Sequence, residues 1–327
     1  MLLPDAVAYP YGSVAIESAF RTDVLEGLAT RPRAIPARWL YDERGSELFE
    51  EITLLPEYYQ TRAERAILHA HAGEIADCVG EVRTVVEFGS GSSGKTPALL
   101  SALKPSSYVP IDISGEFLRR SAANLAASFP YLRIHPIEGD FAHPIPLPVA
   151  LGSGARLGFF AGSTIGNLTA PGAVDLLRTF GRTLGGDGML LIGIDRIKDI
   201  DRLVPAYDDA QGVTAEFNLN LLRRINRELG GTAPVEAFRH VARWNAEEAR
   251  IEMHLEAARD VRFGIDGHIF SMAAGETIHT ENSHKYGSRD ARLLLRAGGW
   301  STVAEWTDED GLFAVYLAAA TPPSIAP

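Results

Sequence analysis

The 327-residue sequence predicts an α/β protein built on a doubly wound parallel sheet, with a second, smaller α+β domain. Apolar strands alternate with helical segments from about residue 62 to residue 196, as in a parallel sheet covered on both faces. A glycine-rich turn follows the first of these strands. Residues 197–286 differ, because several stretches alternate apolar and polar residues like half-buried strands. We therefore expect one domain to comprise residues 62–196 and 287–327, and the second to comprise residues 10–61 and 197–286.

The elements of the first domain follow from local patterns. Thr61 and Glu64 have the spacing of a capping box, which predicts a helix over residues 61–77 with Cys78 as a small core residue behind it. Apolar runs bounded by turns predict strands over residues 84–88, 107–112, 133–137, 156–160 and 192–195. Helices are expected over residues 97–103, 169–184 and 288–297, the last two ending at glycine pairs. A hairpin of residues 300–306 and 312–319 completes the sheet.

The second domain shows a different periodicity. Residues 214–229 form an amphipathic helix pattern with a basic face. Residues 250–256 alternate, placing Met253 on the apolar side of a strand, and residues 261–272 predict a hairpin that turns at Asp266 and Gly267. We interpret this domain as a lid that holds a small molecule over a ligand bound to the first domain.

Composition limits the function classes. The formal net charge of −11 argues against nucleic acid as a partner, because phosphates repel an acidic surface. A single cysteine excludes an intrachain disulfide. The sequence has no apolar run long enough for a bilayer, and residues 1–5 lack the basic and apolar regions of a signal peptide. We expect a cytoplasmic, monomeric enzyme that acts on a small molecule, away from membranes.

The glycine-rich stretch of residues 85–96, VVEFGSGSSGKT, allows three interpretations. Gly89, Gly91 and Gly94 match the dinucleotide fingerprint, and Gly94, Lys95 and Thr96 complete a phosphate-binding loop. The third interpretation is the loop of S-adenosylmethionine-dependent methyltransferases, in which Glu87 helps to hold the methionine end of the cofactor. All three place a nucleotide-like ligand at the carboxyl end of the first strand.

The next strand ends favour the third interpretation. Asp112 lies about 20 residues beyond the glycines, where a carboxylate accepts hydrogen bonds from ribose hydroxyls. Asp140 and Phe141 suit an adenine, and the small-residue turn of Gly162, Ser163 and Thr164 leaves room for the reacting centre. Asp112 as a helix-entry residue, and Lys95 as a solvated residue at a helix start, remain simpler interpretations. A nucleoside-triphosphate-binding module that uses Lys95 and Thr96 is the rival from another class.

Four further runs resemble one family of enzymes. They are residues 38–49 (RWLYDERGSELF), 55–62 (LPEYYQTR), 162–169 (GSTIGNLT) and 206–209 (AYDD). In order and extent they resemble the histidine Nα-methyltransferases of ergothioneine biosynthesis, whose wider family includes tryptophan-type N-methyltransferases. The resemblance covers the chain from about Arg38 onward. It implies a class I methyltransferase, Rossmann-like, with S-adenosylmethionine as cofactor and S-adenosylhomocysteine as product.

The resemblance also implies roles for individual residues. Asn167 and Tyr207 would hold the α-amino-carboxylate end of the substrate, Tyr58 would lie beside it, and Tyr41 would lie near the amine and the cofactor. Glu281 and Ser283 would bind the imidazole, against which Met253 would pack. Gly89, Gly91 and Lys95 of the glycine-rich loop are also expected among the cofactor-binding residues. The implied reaction is the transfer of three methyl groups to the α-amine of L-histidine, which gives hercynine.

The residue types at these positions also favour an imidazole as the bound ring. Glu281 and Ser283 face the same side of a strand, and a carboxylate with a hydroxyl can satisfy both ring nitrogens. An indole has one donor and no acceptor, so it fits less well. Methylation of another aromatic amino acid such as tryptophan is the alternative within the class. A metal site of His279, Glu281 and His284 is disfavoured because alternation puts His284 on the other face, and we expect no metal.

Overall fold

The structure, a computed structural model, describes residues 13–321. The helices within that range are α1 (Ser13–Ala29), α2 (Glu43–Thr53), α3 (Tyr59–Ala70), α4 (Ala72–Val79), α5 (Thr96–Leu103), α6 (Gly115–Ser128), α7 (Ala170–Leu184), α8 (Ile200–Leu203), α9 (Val213–Glu228) and α10 (Ser288–Ala297). None of these helices combines the length and the apolar character needed to cross a bilayer. Residues 1–12 and 322–327, which include the predicted ends of both domains and the segment tested for a signal peptide, lie outside the described residues.

The strands follow the same chain order. They are β1 (Arg33–Ala34), β2 (Thr84–Phe88), β3 (Ser107–Asp112), β4 (Arg133–Ile134), β5 (Ile137–Glu138), β6 (Arg156–Phe160), β7 (Met189–Asp195), β8 (Phe238–Asn245), β9 (Arg250–Ala257), β10 (Val261–Ile265), β11 (His268–Met272), β12 (Thr277–His284), β13 (Trp300–Thr307) and β14 (Phe313–Ala320).

The chain divides into two compact units. Within the described residues, unit 1 comprises Gln60–Ile197 and residues 285–321, and unit 2 comprises residues 13–59 and Lys198–His284. The divisions at 59/60, 197/198 and 284/285 lie within two residues of those in the predicted domains.

Unit 1 contains one eight-stranded sheet in the order β13-β14-β7-β6-β2-β3-β4, with β5 also paired to β3. Strands β2 to β7 are parallel, whereas β14 pairs antiparallel with both β7 and β13. The chain proceeds from β2 to β3 on one side and returns to β6 on the other. Such a reversal creates a crevice at the carboxyl ends of the strands, where ligands of doubly wound sheets bind.

Alternation along each parallel strand builds a core on both faces of the sheet. Val86 and Phe160 pack with side chains of α7 and α10 on one face. Val85 and Phe159 pack with side chains of α3 to α6 on the other. Both faces are therefore covered by helices, and the predicted doubly wound α/β sheet is confirmed.

Unit 2 is built around a four-stranded sheet in the order β1-β12-β9-β8, with the β10–β11 hairpin beside it. The strands β12, β9 and β8 are antiparallel, and β1 runs parallel to β12. The hairpin turns at Asp266 and Gly267, both with positive φ, as predicted. With α1, α2 and α9 this unit has the mixed α and β content expected from its sequence.

Three local predictions were wrong. The helix predicted over residues 61–77 is two helices, α3 and α4, and it begins at Tyr59 rather than at a Thr61 cap. The strand predicted over residues 133–137 is divided into β4 and β5, because Pro136 between them has no N–H to donate to a ladder. Cys78 is exposed on α4, so the prediction of a small core residue was wrong.

Candidate functional site

The glycine loop after β2 has the backbone conformation that its sequence requires. Gly89 and Gly91 both have positive φ, at 69° and 49°. A Cβ atom at Gly89 would lie 3.2 Å from the ring of Phe141, so that aromatic ring packs against bare backbone. The backbone N–H of Gly91 donates to Asp112 Oδ2 at 2.9 Å. Four of the predicted cofactor residues are thereby brought together at neighbouring strand ends.

Glu87 lies beneath this loop in a buried network. Its Oε2 accepts hydrogen bonds from Thr96 Oγ1, at 2.7 Å, and from the phenol of Tyr108. The Ser93 hydroxyl is 3.0 Å from the same phenol oxygen. Burial raises the pKa of Glu87 to about 7, and the hydrogen bonds of Tyr108 and Thr96 oppose that rise. The carboxylate thus ties β2 to the start of α5; its predicted contact with the cofactor remains a prediction.

Asp112 ends β3 with both carboxylate oxygens engaged. Oδ2 accepts from Gly91 N, and Oδ1 accepts from Ser114 N at 3.0 Å. Burial raises the pKa of this carboxyl, and the backbone N–H groups oppose the shift. The bond to Ser114, at the entry to α6, is what the helix-entry interpretation predicts, and the bond to Gly91 joins Asp112 to the glycine loop.

Phe141 and Asp140 follow β5. Phe141 packs on Phe160 and Phe180, with ring centroids 5.6 and 6.4 Å away. Asp140 Oδ1 accepts from Ala142 N at 2.9 Å, which closes a tight turn. The turn fixes the aromatic ring beside Gly89.

The turn after β6 is held by groups from other elements. Gly162 has φ of +78°, and Ser163 has φ of +61°. The Ser163 hydroxyl is buried and accepts from the backbone N–H of Asp195 at 2.8 Å, so it anchors the turn to the end of β7. Thr164 Oγ1 donates to Ala161 O at 3.1 Å. Asn167 is partly exposed at the end of the 3₁₀ helix Thr164–Asn167 in unit 1.

Glu64 is a buried residue of this site that was not predicted from the sequence. It lies on α3 with no exposed surface, and its carboxylate accepts from Gly162 N at 2.9 and 3.1 Å. The ammonium of Lys95 is 2.5 Å from Glu64 Oε2. Lys95 is therefore an ion-paired, mostly buried residue, and the prediction of a solvated helix start was wrong. A second missed pair is Lys285 with Asp195, 2.8 Å apart and both fully buried.

Unit 2 brings the three predicted tyrosines into one chain of aromatic rings. Tyr41 contacts Phe49 and Phe217, with centroids 5.5 and 5.4 Å apart. Phe49 contacts Tyr58 at 5.9 Å, and Tyr58 contacts Tyr207 at 6.4 Å. The two phenylalanines were not predicted as site residues, although Phe49 lies within the run at residues 38–49. No local pattern identifies Phe217, since it reads as an ordinary apolar position of α9.

Tyr207 is joined to the strand that carries the predicted imidazole-binding residues. Its hydroxyl is 2.6 Å from Ser283 Oγ, and both side chains are buried. The backbone carbonyl of Tyr207 accepts from His240 Nε2 at 2.7 Å, while Asn218 Nδ2 donates to His240 Nδ1 at 2.9 Å. Burial lowers the pKa of His240, in keeping with a neutral ring that donates from Nε2.

Glu281 and Ser283 lie on β12 opposite β9. Glu281 pairs with Met253 and Ser283 pairs with Ile251, beyond a register shift between His279 and Glu281. Glu281 is 8% exposed, Ser283 is 4% exposed and Met253 is 1% exposed, so one buried surface of unit 2 offers a carboxylate, a hydroxyl and a thioether. Across residues 13–321, no three His, Cys, Asp or Glu side chains are grouped as metal ligands.

Comparisons with known proteins match nearly the whole of the described chain to one family. A family model described as "Histidine-specific methyltransferase, SAM-dependent" matches residues 20–320. The chain is 43% identical to a histidine N-alpha-methyltransferase of Mycolicibacterium smegmatis, over 92% of this chain and 94% of that protein. It is also 43% identical to one of Mycobacterium tuberculosis, over 96% and 99%. An ergothioneine biosynthesis protein 1 of Neurospora crassa is 32% identical over 90% of this chain and 34% of its own length.

Proposed function

The chain belongs to the family of S-adenosylmethionine-dependent, histidine-specific methyltransferases, and from that premise we propose the reaction it performs. It transfers three methyl groups from S-adenosylmethionine to the α-amino group of L-histidine and gives hercynine, the first step of ergothioneine biosynthesis. Unit 1 binds the cofactor and unit 2 binds most of the substrate.

The observation that carries the histidine assignment is the buried surface of β12 and β9. Glu281 and Ser283 offer an acceptor and a hydroxyl, which suits a ring with one N–H and one bare nitrogen. Tyr207 supports this assignment because its hydroxyl is bonded to Ser283. An indole has one N–H and no acceptor, so it can make one hydrogen bond fewer with these two groups than an imidazole can.

The residues of unit 1 fit an adenosyl cofactor with an amino-acid tail. The left-handed backbone at Gly89 and Gly91 leaves space that any side chain would fill. Asp112 suits the ribose hydroxyls, and Phe141 presents a ring for the adenine. We assign Glu87, Lys95, Asp140, Gly162, Ser163 and Thr164 to the same site. When bound, S-adenosylmethionine supplies a methyl group on a cationic sulfur, activated for in-line displacement.

The protein's own part is to orient and to exclude water. Asn167 and Tyr207 hold the α-amino-carboxylate end, and Met253 packs against the imidazole. The amine attacks as the neutral form, and a nearby positive charge lowers its pKa. The hydroxyl of Tyr41 or Tyr58, or a water, relays the released proton toward solvent, so no strong base is required. The tyrosine rings favour the final quaternary ammonium through cation–π attraction.

Incubation with labelled cofactor and each of the twenty amino acids tests the substrate. Mass analysis should find label only on histidine, with a product heavier by three CH2 units because each methyl group replaces a proton. Label on tryptophan instead would favour the alternative within the class.

Glu281→Ala should raise the KM for histidine, and an unaltered KM would remove Glu281 from the pocket. The parent protein should bind S-adenosylhomocysteine in the absence of Mg²⁺. Asp112→Ala should weaken this binding, and an unchanged Kd would refute the ribose assignment.

The remaining properties are part of the same proposal. The enzyme acts as a cytoplasmic monomer on free histidine, and its net charge of −11 disfavours nucleic acid. ATP with Mg²⁺ should not bind, which separates this proposal from the nucleoside-triphosphate-binding alternative. Analytical ultracentrifugation and titration with ATP and Mg²⁺ check these two points.

A further inference from the structure

Glu64 links two loops that follow different strands. Its carboxylate lies 2.9 and 3.1 Å from Gly162 N, in the turn after β6. The same group lies 2.5 Å from the ammonium of Lys95, in the loop after β2. A single side chain of α3 therefore sets the spacing between two segments of the proposed cofactor site.

The surrounding backbone is shaped to admit this carboxylate. A Cβ atom at Gly193, in the middle of β7, would lie 2.1 Å from Glu64 Oε1. A side chain at that position would displace the Glu64 carboxylate or the ring of Phe313, and glycine leaves room for both although it weakens a strand interior. A Cβ atom at Gly162 would lie 3.5 Å from Lys95 Nζ, which places the ammonium directly against that turn.

The two members of the Glu64–Lys95 ion pair differ in burial. Glu64 has no exposed surface, and burial of a carboxylate is tolerated only with a partner charge and hydrogen bonds. Lys95 is 17% exposed and carries three N–H donors, of which Glu64 receives one. Glu64 thereby holds an ammonium with donors to spare at the edge of the glycine loop.

We propose that Glu64 is a positioning residue for the amino-acid tail of the cofactor. It orients Lys95 so that the ammonium donates to the carboxylate of the methionine moiety, and the bond from Gly162 N holds the Glu64 carboxylate in place for this. This inference rests on the proposed function, because it assigns a carboxylate-bearing nucleoside to unit 1.

Calorimetric titration with two ligands tests the assignment. S-adenosylhomocysteine carries the carboxylate, and 5′-methylthioadenosine has the same nucleoside and sulfur without the amino-acid tail. Glu64→Gln and Lys95→Met should each weaken S-adenosylhomocysteine by about 10- to 100-fold, the range for a charge-assisted hydrogen bond. Binding of 5′-methylthioadenosine should stay unchanged. The Glu64→Gln/Lys95→Met variant should lose no more affinity than Lys95→Met alone, because both changes remove one unit of recognition. Glu81→Gln, an exposed residue of unit 1, is the matched control.

Each result decides the inference. Equal loss of both ligands would reduce Glu64 to a purely structural role, and unchanged affinity for both would overturn the assignment. Additive losses in the double variant would show that Glu64 does not act through Lys95. If Glu64→Gln alone fails to fold, the double variant is compared with Lys95→Met, and a further loss of S-adenosylhomocysteine affinity would overturn the inference. Failure of the parent protein to bind S-adenosylhomocysteine would instead refute the proposed function.

Discussion

Glu87→Gln should change how stability depends on pH, because Glu87 is a buried carboxyl whose ionisation the fold opposes. Burial raises the pKa of Glu87 from 4.5 to about 7. Glutamine has nearly the same shape, and its carbonyl oxygen can accept from Thr96 and Tyr108 as the carboxylate does. The variant therefore removes the charge while it keeps the network beneath the glycine loop.

The size of the effect follows from the two pKa values. Between pH 4.5 and about 7 the folded form holds a proton on Glu87 that the unfolded chain has lost. Stability must then fall as pH rises through this window, by about 3 kcal/mol in total for a pKa difference of this size. Below the window both forms are protonated and above it both are ionised, so the contribution is constant on either side. The free energy of unfolding of Glu87→Gln, minus that of the parent, should increase by roughly 3 kcal/mol from pH 4.5 to pH 8.

Urea unfolding at half-unit pH steps measures this difference, and subtraction of the parent removes the contribution of every other group. Tyr108→Phe is the informative partner variant. Its phenol donates to the ionised carboxyl and lowers the pKa of Glu87, so its removal should shift the transition to higher pH. A pH profile of Glu87→Gln that runs parallel to that of the parent would refute the reasoning.

Three further changes have defined outcomes. Lys285→Met removes the ammonium that pairs with the fully buried carboxylate of Asp195, and it should lower the free energy of unfolding by about 3–5 kcal/mol. An unchanged urea midpoint would contradict this expectation. The double variant Lys285→Met/Asp195→Leu should recover most of the loss. Tyr207→Phe removes the hydroxyl that lies 2.6 Å from Ser283 Oγ, and it should raise the KM for histidine about 5- to 100-fold in steady-state kinetics. The Kd of S-adenosylhomocysteine should stay unchanged. A KM equal to that of the parent would show that Tyr207 does not contribute to histidine binding. Gly193→Ala places a methyl group 2.1 Å from a buried carboxylate oxygen of α3, and it should lower the free energy of unfolding by about 1–3 kcal/mol. An unchanged thermal or urea transition would contradict this expectation.

Sequence reasoning succeeded where a local pattern has one dominant cause. The strands over residues 84–88 and 156–160 have the predicted bounds because short apolar runs end at turn residues. The helix that begins after Thr169 and ends at Gly185 also matches, since a capping hydroxyl and a C-terminal glycine mark its limits. The prediction at residues 61–77 was wrong because Glu64 has the spacing of a capping box, whereas its carboxylate accepts from Gly162 N in a distant turn.

Periodicity, turn residues and ordered motifs are properties of neighbouring residues, so they were enough to predict the alternation of elements, the doubly wound sheet and the family. The role of each buried charge depends instead on tertiary packing. The carboxylate of Glu64 meets an amide 98 residues away, and the ammonium of Lys285 meets Asp195 across 90 positions. Partners so distant along the chain leave no periodic trace, since a hydrogen bond depends on positions in space that the packing of helices on the sheet creates.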